Sequence, residues 1–301
     1  MVKNSYLRGV GMVFITAFLW GGISPIAKYI SMTGLSQLSV MSYRAVFTVV
    51  AVGTWLTLAK GPRTFLLSGE RLAGFLWIGI FGLVFNSTGF MMSAASLTVP
   101  QALMIHYTYP LVTMAASVLI TREKPTRGQV LAGFLIILGL YVGFVAGQKG
   151  AFRVDRAGLL WGLVSVAGVS GQMLLTRRIM KASDESPLLQ LFFSNLFGGA
   201  ILVAAKSLFW GWSDLSALTP RLFAVIQYPA IASSIVGFGL LFTALKTIPA
   251  SVASLVCTLE IVFSLLLTPA LLHMIPTASE LAGCAIIFAA VVASISFSHR
   301  D

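Results

Sequence analysis

Fifty consecutive residues, 72–121, contain no Lys, Arg, Asp or Glu. A bilayer-spanning helix needs about 20 apolar residues. The run is therefore too long for one such helix and too apolar for a water-facing surface. It divides at Ser96-Leu97-Thr98-Val99-Pro100, a short polar turn whose proline suits a helix start. Further charge-free runs occupy 9–27, 45–59, 128–148, 157–176, 186–205, 222–245, 247–259 and 281–299.

Composition agrees with these runs. Charged residues make up 10% of the chain and hydrophobic residues 57%, whereas a soluble domain carries about 25% charged residues. A soluble chain of this length cannot hide that much apolar surface. This excludes an ordinary soluble enzyme, a secreted disulfide scaffold and a disordered chain. Cys257 and Cys284 both lie in apolar runs, so no disulfide framework is implied. The runs are apolar on most faces, whereas barrel strands alternate polar and apolar residues. The expected fold is an all-α integral membrane protein with ten transmembrane helices. They are expected at 9–30, 38–59, 72–95, 100–120, 129–147, 157–177, 188–210, 222–244, 251–272 and 279–297. Ten such helices use roughly 200 residues, which leaves no room for a soluble domain. Lys3 and Arg8 precede the first apolar stretch as they would in a signal peptide. That stretch lacks a small-residue cleavage site, so it reads as a retained first helix.

Orientation follows from Lys and Arg. With the N-terminus in the cytoplasm, thirteen of the 20 basic residues fall in cytoplasmic segments. Five fall outside: Lys149, Arg153, Arg156, Lys206 and Arg221. Both termini are expected inside. The formal net charge of +11 is then chiefly a topology signal, and nucleic acid is not an expected partner.

The two halves overlay with a shift of 151. Ser93-Ala94-Ala95-Ser96-Leu97 falls on Ala244-Leu245-Lys246-Thr247-Ile248, and Pro125-Thr126 falls on Pro276-Thr277. With a slightly smaller shift, Gly11 and Gly21 fall on Gly158 and Gly168. Each half, 1–148 and 149–301, then holds five helices. Five is odd, so the second half enters the membrane from the opposite side. Two inverted five-helix repeats are a transporter signature, with the substrate site near the midplane between them.

Several motifs now carry a family resemblance. Phe18-Leu19-Trp20-Gly21 with Lys28, Tyr43-Arg44-Ala45, and Tyr109-Pro110-Leu111 followed by Arg122-Glu123-Lys124-Pro125 resemble EamA-type drug/metabolite transporters. Ala244-Leu245-Lys246-Thr247 and Thr258-Leu259-Glu260 resemble the corresponding second-half elements. The resemblance implies a ten-helix secondary transporter of the bacterial inner membrane. Two positions depart from the pattern: Ile261 replaces a proline and Met274 replaces a closing glutamate. The resemblance therefore does not carry a bend into helix nine.

Polar groups inside a spanning helix are costly unless they face a cavity or a partner. Helix four carries His106, Tyr109, Thr113 and Ser117, spaced to share one face. Helix nine carries Cys257, Glu260, Ser264 and Thr268 at the same spacing, each 151 residues later. Both stripes are expected to line one central cavity; helix–helix packing is the alternative. Trp20, Ser24, Asn86, Gln172 and Ser234 are further substrate-contact candidates, with Ser165 and Tyr228 beside them. Glu260 is the only acid well inside a span. It can bind and release a proton or pair with a cationic substrate; His106 can share a proton relay. Arg44 can take a carboxylate substrate, or form a structural ion pair or snorkel. Gly139, Gly143 and Gly147 in helix five and Ala289 and Ala293 in helix ten suit close packing between those helices.

The expected function is a secondary transporter, an exporter of a small metabolite such as an amino acid or amine, working by alternating access with proton exchange. A passive facilitator shares this architecture. A membrane-embedded enzyme is not expected: His106, His273 and His299 are far apart, and no zinc helix or phosphate loop is present. No metal or cofactor is expected. The expected partners are a small-molecule substrate, protons and the lipid bilayer. The chain is expected to be a monomer, with a homodimer contact left open.

Overall fold

The structure, a computed structural model, describes residues 2–146, 155–182, 185–273 and 275–297. Among them are ten helices long and apolar enough to cross a membrane. They are α1 Asn4–Ser31, α2 Gln37–Lys60, α3 Gly69–Ser96, α4 Pro100–Ile120, α5 Arg127–Val145, α6 Arg156–Ala182, α7 Pro187–Phe209, α8 Pro220–Ala244, α9 Ala250–Ala270 and α10 Ala278–Ile295. No strand occurs among the described residues. Several helices run past the apolar segments read from sequence: α1 begins at Asn4 rather than 9, and α6 ends at Ala182 rather than 177. Long basic side chains at helix ends reach toward polar surroundings, so the helix outlasts its apolar run. Gly147, Met274, His299 and the 148/149 boundary between halves lie outside the described residues.

Helix starts are set by side-chain caps. Thr126 accepts from the Gln129 amide at 3.2 Å, and Gln129 Oε1 accepts from the Thr126 amide at 3.1 Å. Thr277 and Glu280 build the same reciprocal box at the start of α10. The two boxes stand 151 residues apart, and each satisfies two amide groups that a helix start leaves open.

The packing exchanges first helices between halves. α1 packs on α8 and α9, while α6 packs on α3 and α4. Glycines permit these approaches. A Cβ at Gly21 would lie 2.5 Å from the Phe263 Cβ, and one at Gly168 would lie 2.4 Å from the Asn86 backbone nitrogen. α2 packs against α7, and α5 against α10. The α5–α10 contact runs through Gly139, Gly143 and Gly283, where a Cβ at Gly283 would lie 2.4 Å from the Gly139 carbonyl oxygen. Ala289, expected in this contact, is exposed instead, because Gly283 and Ile287 present the face that meets α5.

Three spanning helices widen into π-helix: α3 at Ile80–Thr88, α5 at Tyr141–Val145 and α8 at Pro229–Gly237. The first and third each hold nine residues and start 149 residues apart. α4 breaks at Tyr107–Thr108 and α9 breaks at Thr258. The break in α9 occurs without a proline. Thr258 Oγ1 donates to the Leu255 carbonyl at 2.7 Å, as Thr108 Oγ1 does to Ile105 at 2.7 Å. A hydroxyl bonded back onto the preceding turn bends a helix as a missing amide does.

Candidate functional site

One cavity of about 240 Å³ lies among α1, α2, α3, α4, α6, α7, α8 and α9. α5 and α10 take no part in it. The structure brings Trp20, Ser24, Asn86, His106, Tyr109, Gln172, Ser234 and Glu260 together on its wall.

Thr113, Cys257 and Ser264 do not line the cavity. Thr113 is fully buried and donates to Ser170 Oγ of α6 at 3.1 Å. Cys257 is fully buried in the apolar core. Ser264 sits where α9 meets Gly21 of α1. Ser117 turns back onto the Met114 and Glu123 carbonyls, and Thr268 bonds the Ser264 carbonyl. The stripes assume a continuous helical period. The breaks at Tyr107–Thr108 and Thr258 interrupt that period, so only part of each stripe reaches the cavity.

Residues outside the stripes enter in their place. Tyr107, at the break in α4, donates a hydrogen bond to Glu260 Oε1. Two residues on, the Tyr109 hydroxyl donates to the Ser254 carbonyl of α9 at 3.1 Å. The two broken helices are thus joined at their breaks. His106 Nδ1 pairs with Ser165 Oγ at 2.8 Å, and that hydroxyl also reaches the Asn86 carbonyl at 3.1 Å. The imidazole is set edge-on to Phe90 and Tyr107, with centroids 5.1 and 5.2 Å away. Its hydrogen bond therefore leads to α6 and α3 rather than to Glu260. Trp20 donates to the Ser233 carbonyl at 3.4 Å and leans on Phe238.

Arg44 also lines the cavity. Its Nε donates to Ser234 Oγ at 2.8 Å and its Nη2 to Ser233 Oγ at 3.1 Å. It neither snorkels nor forms an ion pair among the described residues.

Polar ties stand at both ends of the bundle. Glu123, between α4 and α5, accepts from Arg177 Nε at 2.9 Å and Nη2 at 2.7 Å, and from Lys181 at 3.2 Å. Arg177 Nη1 also donates to the Leu245 carbonyl in the α8–α9 turn at 2.8 Å. Burial pulls the Glu123 carboxyl upward, but its bonds to Arg177 and Lys181 outweigh that and hold it below the usual carboxylate range. At the other end Asp214, between α7 and α8, accepts from Lys206 at 3.0 Å, from the Ser36 amide at 3.0 Å and from the Ser39 hydroxyl. Burial again acts upward and is outweighed by these bonds, so Asp214 is also held low.

A family model described as the EamA-like transporter family matches residues 7–145 and again 156–296, one match to each half. The chain belongs to this family. Its members are membrane transporters, and the EamA chain described here is a multi-pass membrane protein. A relative from Arabidopsis thaliana, "Protein CLT3, chloroplastic", is 25% identical over 190 residues, covering 59% of this chain. That match spans 41% of the relative's length. A solved crystal structure covers 99% of this chain and 98% of its own, with a TM-score of 0.78 and 17% identity. At that identity the likeness is one of fold.

Proposed function

We propose that this EamA protein is a proton-coupled secondary transporter of a small metabolite, an amino acid or an amine. It works by alternating access between two inverted five-helix repeats, 1–148 and 149–301. The observation that carries the reading is the placement of Glu260. Among the described residues it is the only acid on the cavity wall, it sits two residues past the break in α9, and it is bonded to Tyr107 at the break in α4. A carboxyl that gains or loses a proton there changes the bond that joins the two broken helices. This ties proton occupancy to the relative position of α4 and α9. Exchange of first helices between halves supports the repeat reading, because the same packing recurs with the halves interchanged. The Lys and Arg asymmetry supports cytoplasmic termini.

The test is uphill uptake into proteoliposomes under an imposed pH gradient, with the substrate found by a thermal-stability screen of metabolites. Glu260→Gln is expected to abolish gradient-driven accumulation while the purified protein keeps its helical content. Accumulation that survives in Glu260→Gln removes the coupling role. Downhill movement alone in the unaltered protein makes the chain a passive facilitator.

A further inference from the structure

We propose that Arg44 is the carboxylate-binding subsite of this cavity, so that the substrate is an amino acid rather than its decarboxylated amine. This rests on the transporter reading of the same cavity.

Two cations are buried in the described residues, Arg177 and Lys206, with 6% and 1% of their surface exposed. Each has a carboxylate: Glu123 at 2.7 Å and Asp214 at 3.0 Å. Among the described residues Arg44 is the only Lys or Arg on the cavity wall, and none of the described carboxylates pairs with it. A guanidinium inside a membrane without a counter-charge is expensive. Arg44 is half-buried and opens onto the cavity, so a counter-charge can reach it from there.

The guanidinium is oriented for that role. Of its five N–H donors, two are engaged, by Ser234 and Ser233. Ser234 Oγ itself donates to the Pro229 carbonyl five residues back at 3.1 Å, so its lone pairs are left to receive Arg44 Nε. Both serines belong to the π-helical stretch of α8, whose wide turn presents adjacent residues to one group. With the Nε edge held by serines, three donors remain, including both on Nη1. A planar fork of this kind matches a carboxylate in bidentate fashion. Glu260 supplies the only acid on the same wall and makes no ion pair with Arg44. One separated cation and one separated acid suit a substrate that carries both charges.

The experiment uses purified full-length protein and paired probes: amino acids, each with its decarboxylated amine, and inorganic phosphate alone. Binding is read by ligand-induced thermal shift and transport by proteoliposome uptake. The unaltered protein is expected to bind the amino acid of at least one pair more tightly than the amine. Arg44→Gln is expected to cut that preference by about tenfold to a hundredfold, the range for a lost hydrogen bond to a charged group. Arg44→Lys, which keeps the charge but not the fork, is expected to retain part of it and guards against a folding failure of the first variant. Preference for amines, an unchanged preference in Arg44→Gln or in Arg44→Lys where only that variant folds, binding of none of the probes, or an Arg44-dependent shift with phosphate but not carboxylates would each overturn the assignment. Uphill transport of amines untouched by Arg44→Gln overturns this inference and leaves the transporter reading standing. Arg44-dependent carboxylate binding without uphill transport does the reverse.

Discussion

The ion pair between Glu123 and Arg177 allows a prediction worked from geometry. The Arg177 side chain is 7% exposed and that of Glu123 13%, while Lys181 is 53% exposed. Breaking a buried pair by removing one partner costs about 3–5 kcal/mol, whereas a surface pair is worth about 0–1 kcal/mol. Lys181 therefore adds little, and Arg177 carries the interaction. Glu123→Gln keeps an acceptor for the guanidinium but deletes the charge, which removes about half of a charge-assisted bond; the expected loss is about 2 kcal/mol. Arg177→Met also strips the Leu245 carbonyl of its donor and strands Glu123 with an exposed lysine, so its expected loss is about 4 kcal/mol. The double variant strands no charge, so its loss should not exceed that of Arg177→Met alone. The coupling in the cycle is then at least about 2 kcal/mol. The assay is denaturant unfolding of the purified protein in detergent micelles for the parent, both single variants and the double variant. Single losses that add to within about 0.5 kcal/mol would show that the two side chains do not act as a unit, and the reasoning from burial and distance would be wrong.

Other outcomes follow from the same structure. Glu123 is held below its ordinary pKa of 4.5 by Arg177 and Lys181, so its contribution is complete above that value and is lost as pH falls through the lower folded value; melting temperature should drop below about pH 4 in the parent, and the drop should be smaller in Glu123→Gln. Asp214→Asn should destabilise the protein by about 3 kcal/mol, because Lys206 is 1% exposed and is left with a neutral acceptor and its 4.9 Å contact with the Trp212 ring in place of a counter-charge; an unchanged unfolding midpoint would contradict this. Gly168→Ala should cost about 1–3 kcal/mol, since the new Cβ would press on Asn86 and Phe81 backbone atoms. Gly11→Ala, with nothing within 4 Å of its Cβ position, should be neutral or gain up to about 1 kcal/mol in the same unfolding assay.

The ten helices were legible because charge is so costly in a bilayer that it collects at helix ends, and the charge-free runs could be counted directly. The caps at Thr126 and Thr277 were legible as a repeated Pro-Thr pair. What escaped was the local backbone. Stripe logic places residues by a constant rotation per residue, and that rotation fails where α4 breaks at Tyr107–Thr108 and where α3 and α8 widen. Tyr107 was missed for this reason, although it bonds Glu260, and Thr113 was carried onto a cavity that it does not reach. Ser233 was missed because a regular helix does not turn two adjacent hydroxyls onto one guanidinium. The only sequence signal was Pro229, which lacks an amide and opens the π-helical stretch.

The polar ties at the two ends fit the alternating access proposed for this cavity. By the count of spans, the α4–α5 link and the start of α2 lie on opposite faces of the membrane. Glu123 of the first half is held by Arg177 and Lys181 of the second; Asp214 of the second half is held against Ser36 and Ser39 of the first. Each tie therefore crosses between halves, on either side of a cavity that also lies between halves. Alternating access requires one face to part while the other holds. Ion pairs suit this, because their energy falls away over a few ångströms and water re-solvates the separated charges. The α5–α10 contact through Gly139 and Gly283 bridges the halves too, but it lies outside the cavity and rests on close backbone packing rather than on charge.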